Sequence, residues 1–344
     1  METVTIKDRA KALNLSTSTV SRALRDSYEI NPETKKLVLD YANKVNYRPN
    51  PIALSLKGSK SKAIGVIVPE IANDYFSQAI NGIESVAYKR DYHVVIFQSL
   101  ESYERELANI EHLVARKVDG LLISLSCQTD DVSHLKELHE KKFPIVMFDR
   151  VSDDIETFKV VADNHDGAFR ATEHLINSGR KQIAHITSLP FLSITQERLA
   201  GYRTALEKYD IPYQKELVKY CGFGASEVNK TVGELLAQKI KPDAIMTASD
   251  RLALGCFAYL KKKNIRIPED ISMIGFTNLK VSDLLDPPLS SIFQPAFEIG
   301  QSAAGLLLDM IEIKQHKNLD FRTIKLKTEV YIRESSDVSL NQVS

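Results

Sequence analysis

From residue 63 onward the sequence alternates short apolar runs rich in β-branched residues with longer segments of helical period, and few folds accommodate that rhythm. Runs at 64–68, 93–97, 120–125, 144–148 and 159–162 are strand-sized and apolar without alternation, while 76–90, 104–116 and 133–141 carry helical spacing. Strands of that kind need cover on both faces, which a parallel sheet flanked by helices provides. The rhythm restarts with a helix at 167–178 and strands at 182–187, 217–221, 243–248 and 271–276, separated by helices at 196–209, 226–238 and 251–264. Two α/β halves of similar size are expected. A strand at 291–294, a helix at 297–313 and a strand-like stretch at 324–333 complete the chain.

Open parallel sheets bind ligands beyond the carboxyl ends of their strands, where the loops converge. Tyr75 and Phe76 follow the first strand, Ser124 lies at the end of the third, and Asp149 and Arg150 follow the fourth. Asp250 and Thr277 stand at the corresponding ends in the second half. Any one of these has a plainer explanation, because an Asp after a strand commonly caps a helix. Together, acids, an arginine, hydroxyls and aromatics suit a small polyhydroxylated or charged molecule.

The first 62 residues read differently. Thr5 and Asp8 form a capping box for a helix with Ile6, Ala10 and Leu13 on one apolar stripe. Asn14 suits a left-handed turn, and Ser16 is a good cap for a second helix starting at Thr17. In that helix Val20, Ala23 and Leu24 share one side, and Thr17, Ser18, Ser21, Arg22 and Arg25 the other. Short polar side chains and Arg at a helix start can read base edges in the major groove. A third helix opens at Asn31-Pro32-Glu33 and packs through Leu37, Val38, Tyr41, Ala42 and Val45.

Patterning alone also allows a capped three-helix unit for protein contacts, and charge tips the balance. Residues 1–62 hold twelve Lys or Arg against six Asp or Glu, a formal +6. The whole chain sums to +0, so the remainder carries −6. A cationic head on an acidic body suits phosphate binding at one end only. Pro49 and Pro51 then stop the third helix, leaving 52–57 helix-capable but too short to stand alone.

These features coincide with a family signature. Thr5-Ile6-Lys7-Asp8, Leu15-Ser16, Thr19 to Leu24 and Tyr47-Arg48-Pro49-Asn50 resemble the lactose-repressor (LacI/GalR) family of bacterial transcriptional regulators. The body resembles that family's effector core, akin to periplasmic sugar-binding proteins, through Ile64 to Pro69, Val118-Asp119-Gly120, Asp163-Asn164, Arg198 to Tyr202, Ser249-Asp250, Pro268 to Ile271 and Pro288-Leu289. The resemblance implies an all-α helix-turn-helix head (1–48), a hinge helix and linker (49–62) and an α/β core (63–334) of two parallel-sheet subdomains. The first would comprise about 63–162 and 292–323, the second 163–291 and 324–334, with 335–344 a frayed tail.

It further implies that Thr17, Ser18 and Arg22 contact bases, with Thr5, Ser16, Thr19, Ser21 and Asn50 on the same DNA-facing side. Two hinges would meet in the minor groove with Leu56 as the wedge and Ala53 beside the floor. Effector contacts would be Tyr75, Phe76, Asp149, Arg150, Arg198 and Asp250, with Gln294 where the chain recrosses. Two departures stand out. Arg9 occupies a site where the family packs Val or Ile, and Thr277-Asn278 follows Phe276 where the family has Asp.

The expected partners are a palindromic DNA operator, a sugar or related metabolite and a second copy of the chain. The tail after Glu334 lacks a leucine heptad, so a homodimer is expected rather than a coiled-coil tetramer. No cofactor or metal is called for. Cys127, Cys221 and Cys256 are odd in number and widely spaced, which fits a reducing cytoplasm, and the family resemblance implies a bacterial cytoplasm and association with the nucleoid. Neither a signal peptide nor a membrane-length apolar run is legible.

Catalysis has no constellation behind it: there is no Gly-x-Ser-x-Gly elbow, phosphate-cradling loop, His-Glu-x-x-His or dinucleotide fingerprint. His93 and His174 suit structural roles. The alternative is a small-molecule binding protein without a DNA role, which would carry a signal peptide and no basic head.

Overall fold

The computed structural model describes residues 6–24, 29–45, 61–277, 279–313 and 319–337, with the side chains of Lys7 and Arg9 left aside. Thr5, Arg25, Asn50, Ala53, Leu56 and Asn278 therefore lie outside the described residues. The chain divides into two compact units, Met1–Ser61 and Lys62–Ser344.

The first unit holds α1 (Ile6–Ala12), α2 (Thr17–Ala23) and α3 (Pro32–Lys44); α2 and α3 follow the expected caps, while the capping box expected at Thr5 lies outside the described residues. Asn14 takes φ 51, ending the first helix in the left-handed turn that Asn tolerates. Ser16 accepts from the Thr19 amide at 3.0 Å, and Asn31 from the Glu33 amide at 2.8 Å. Ala10, Val20, Ala23 and Val38 make the small core, flanked by Ile6, Leu13, Leu15, Leu24 and Ile30. One expectation fails. Leu37 is 51% exposed, because Val38 and Ala42, one turn apart, take the inward stripe and leave Leu37 about 100° round the helix.

The second unit contains two six-stranded sheets. The first orders β11 (Thr323–Leu326), β5 (Phe158–Ala162), β4 (Ile145–Phe148), β3 (Leu121–Ile123), β1 (Ala63–Val68) and β2 (His93–Gln98). Helices α4 (Asp74–Lys89), α5 (Tyr103–Ala115), α6 (Ser133–Glu140) and α11 (Ala296–Glu312) belong to this lobe. The second orders β12 (Glu329–Tyr331), β10 (Ser290–Phe293), β9 (Ser272–Thr277), β8 (Ala244–Thr247), β6 (Ile183–Thr187) and β7 (Val218–Tyr220). Its helices are α7 (Asn164–Asn177), α8 (Ser193–Lys208), α9 (Ala225–Leu236) and α10 (Asp250–Lys262).

Every strand pair is parallel except β10 with β12. Apolar clusters cover each sheet on both faces, as the unbroken apolar runs require. In the first lobe α4 and α11 approach so closely that a Cβ at Gly82 would meet the Phe297 carbonyl, and one at Gly300 the Ala79 carbonyl.

Three crossings join the lobes, and two sit elsewhere than the sequence reading put them. The stretch at 324–333 is not one strand of the second lobe: β11 pairs with β5 and β12 with β10, so the chain crosses near 327–328. The second crossing follows Phe293, since β10 belongs wholly to the second sheet. The tail boundary also moves. Ser335 and Ser336 are buried, not frayed; the Met273 amide donates to the Ser335 carbonyl at 2.7 Å, and Ser336 Oγ meets Ser290 Oγ at 2.6 Å and His174 Nε2 at 2.8 Å. His174 thus has the structural hydrogen bond expected of it. No described helix is long and apolar enough to cross a membrane.

Candidate functional site

In the head, the hydroxyl of Ser16 is spent on the cap. It takes the Thr19 amide and lies 2.7 Å from Ser18 Oγ and 2.8 Å from Thr19 Oγ1, so it shapes the start of α2. Thr17, Ser18 and Arg22 are exposed, Thr19 and Ser21 half-buried. Arg22 Nε stands 3.4 Å from Glu29, with both side chains about half exposed, a contact weak enough to be exchanged for a phosphate.

In the core, a cavity of about 50 Å³ opens between the lobes at the carboxyl ends of both sheets. The first lobe supplies Asn73, Tyr75, Phe76, Asp149 and Arg150; Gln294 comes from the second crossing. The second lobe supplies Ser188, Ile194, Thr195, Arg198 and Phe223, and from its later strand ends Ala248, Ser249, Leu252 and Thr277. Seven of the nine anticipated residues therefore line one space. Ser124 and Asp250 stand behind it: Ser124 Oγ donates to Asp149 Oδ2 at 3.4 Å, and Thr277 Oγ1 donates to Asp250.

Burial sets the electrostatics. Arg150 donates to Glu101 at 2.7 Å, and the Cys127 amide donates to the same oxygen at 2.7 Å. Burial alone would push the Glu101 carboxyl up, but the Arg150 charge and these donors outweigh it and hold the group below its usual value. Arg198 is pressed down to about 10 by burial. Burial likewise raises Asp149, and lifts Asp250 to about 7. The Tyr75 hydroxyl is driven well above its ordinary value by burial, with the nearby Asp149 charge adding to it.

Asp149 (φ 59) and Thr277 (φ 89) both take left-handed backbone at the cleft, a costly conformation for a β-branched residue such as Thr277. Tyr75 Oη, Arg150 Nε, Thr195 Oγ1 and Gln294 Nε2 are buried without a hydrogen-bond partner among the described residues, as is Asp250 Oδ1 behind them. Buried polar atoms are nearly always paired, so these four at the cavity wall are groups that a polar guest could engage.

Sequence reasoning missed Asn73, Ser188, Ile194, Thr195, Phe223, Ala248 and Leu252, and noted Ser249 only as a strand end. Thr195 could have been found, since it lies three residues before Arg198 on one helix face. Phe223 sits in a loop with no periodicity to betray it. Among the described residues no group of His, Cys, Asp and Glu is placed to hold a metal.

Comparison with known proteins agrees with this layout. Residues 61–334 match the model for periplasmic binding proteins and the sugar-binding domain of the LacI family. Residues 5–50 match that for bacterial regulatory proteins of the lacI family. The HTH-type transcriptional repressor PurR of Vibrio campbellii is 29% identical over 96% of this chain and 98% of its own length. The Lac repressor dimer bound to operator and an anti-inducer superposes with a TM-score of 0.83 at 25% identity, covering 98% of this chain and all of that one. A LacI-family regulator from Enterococcus faecium with bound ribose gives a TM-score of 0.69 at 28% identity over 80% of this chain and 98% of its own.

Proposed function

This chain belongs to the LacI family of bacterial regulatory proteins, and from that premise we propose that it binds a palindromic operator as a homodimer whose grip is set by a small molecule in the interlobe cleft. It is a DNA-binding transcriptional repressor of the effector-regulated kind, not an enzyme. Thr17, Ser18 and Arg22 would meet base edges, with Thr5, Ser16, Thr19, Ser21 and Asn50 ordering the contact. Leu56 would wedge the minor groove beside Ala53.

The observation that carries the effector reading is the cluster of unpartnered buried groups on Tyr75, Arg150, Thr195 and Gln294 around one cavity. A ligand that pairs them favours one arrangement of the lobes over another, and such a differential is what shifts a conformational equilibrium. Ribose bound to the Enterococcus faecium relative supports a small polar metabolite as the ligand class.

Selection of duplexes from a random library, then gel-shift titration at physiological salt with and without candidate metabolites, tests the proposal. A two-fold symmetric consensus whose retention changes with a metabolite is expected. Retention that ignores sequence would sink it.

A further inference from the structure

We propose that the effector is a monoanion, a sugar acid or comparable hydroxy acid, whose carboxylate is gripped by Arg198. This rests on the reading of the cleft as the effector site and adds the charge of its occupant.

Arg198 is 3% exposed. Its Nε donates to Asn164 Oδ1 at 2.9 Å, one terminal nitrogen donates to the Ala248 carbonyl, and its Cζ lies 4.2 Å from the centre of the Phe276 ring. All three partners are neutral. Among the described residues no carboxylate stands within ion-pair distance of it, whereas Arg150, in the same cleft, has Glu101 at 2.7 Å. A guanidinium buried without a counter-ion is expensive, and a carboxylate arriving with the ligand removes that cost.

The nearest acids are engaged elsewhere: Asp149 accepts from Ser124 Oγ at 3.4 Å and Asp250 from the Thr277 hydroxyl, and burial disfavours the charged form of both. At the end of β9 the cavity meets the hydroxyl of Thr277, which is held by Asp250.

The unpartnered atoms favour the same ligand. Gln294 Nε2 and Arg150 Nε can only donate, and Thr195 Oγ1 can donate as well. Three donors of this kind call for an acceptor-rich guest, and a carboxylate offers about four lone-pair sites. Helix α8 adds to this. It opens after Leu192, which offers no capping side chain, and its first-turn residues Ile194 and Thr195 line the cavity, so the positive end of a sixteen-residue helix faces the ligand.

The test uses the full chain near neutral pH, with scanning fluorimetry and calorimetry on matched compounds: D-galacturonate against D-galactose, and D-gluconate against D-glucitol. At least one acid should bind about 100-fold more tightly than its neutral twin. Arg198→Gln should lose that binding. Because Arg198 is packed in the core, Thr277→Asp is the second variant: a new carboxylate at the cleft should weaken the acid at least tenfold or so and narrow its lead over the neutral twin. A neutral twin that binds as tightly as its acid, or no binding of either acid at about 10 mM, overturns the assignment. An acid that binds yet leaves operator retention unchanged keeps the charge assignment and sinks the regulatory reading instead.

Discussion

Arg198 Nε donates to Asn164 Oδ1 at 2.9 Å, and this bond ties the cleft to the joint between the lobes. Asn164 opens α7 just after the first crossing, and its Nδ2 donates to the Ala162 carbonyl at 3.2 Å and to Glu197 at 3.3 Å. Glu197 also receives Lys325 Nζ, from β11 beside the third crossing, at 2.9 Å. Substituting Asn164→Ala leaves a buried guanidinium N–H without its acceptor, at a cost of about 1–3 kcal/mol. Urea unfolding should show that loss, and the metabolite response in gel shifts should be lost with it; a variant with unchanged midpoint and response would contradict the role.

Asp250 makes stability depend on pH. Its folded value of about 7 lies above the ordinary 3.8, so the folded state holds the proton more tightly than the unfolded chain does. The contribution is fully present below about pH 4 and disappears as pH rises through 7. Asp250→Asn has no such dependence, and its amide oxygen can still accept from Thr277. Its stability relative to the parent should climb by up to roughly 4 kcal/mol between pH 4 and 8, then level off. A flat difference in chemical unfolding across that range would refute this.

Two ion pairs bridge the lobes near the cleft: Arg251 to Glu70 at 2.7 Å and Lys280 to Asp74 at 3.0 Å. Both are partly exposed, so each contributes about 0–1 kcal/mol and neither should matter to global stability. Their effect is on opening. Glu70→Lys should speed hydrogen exchange of amides around 148–150 and 194–198, and the swapped pair Glu70→Lys with Arg251→Glu should restore it. Exchange that stays fast in the swap would rule out the latch.

Gly300→Ala tests the packing of the first lobe. The new methyl meets the Ala79 carbonyl, a backbone atom that cannot turn aside. A loss of about 3 kcal/mol is expected from overpacking between α4 and α11. Thermal melts within a degree of the parent would show that the helices can separate freely.

The hinge prediction concerns residues outside the described set. Leu56→Ala should reduce affinity for the selected duplex about tenfold or more and leave binding to random duplex alone, because only a specific site is kinked by the wedge. Equal affinity for the selected duplex would remove the wedge from the account.

Much of this molecule was legible in its sequence because the signals concerned are local. Ser16, Asn14 and Asn31 announce helix ends through chemistry that acts within four residues. Unbroken β-branched runs announce parallel strands through burial on both faces. The strand-end rule likewise found Tyr75, Asp149, Arg150 and Thr277, since topology alone sends those positions to one edge.

What only the tertiary structure decided depends on atoms distant in the chain. The stretch at 324–333 reads as one strand, yet β5 claims its first part and β10 its last. Ser335 and Ser336 look like tail and are buried because Met273 and Ser290 hold them. Arg150 and Arg198 look alike as residues, but one has Glu101 at 2.7 Å for a counter-ion and the other, among the described residues, has none within ion-pair distance. Periodicity and capping are properties of a segment, so a sequence displays them; the balance of charge in a cleft is a sum over short distances between lobes, and those distances exist only once the chain has folded.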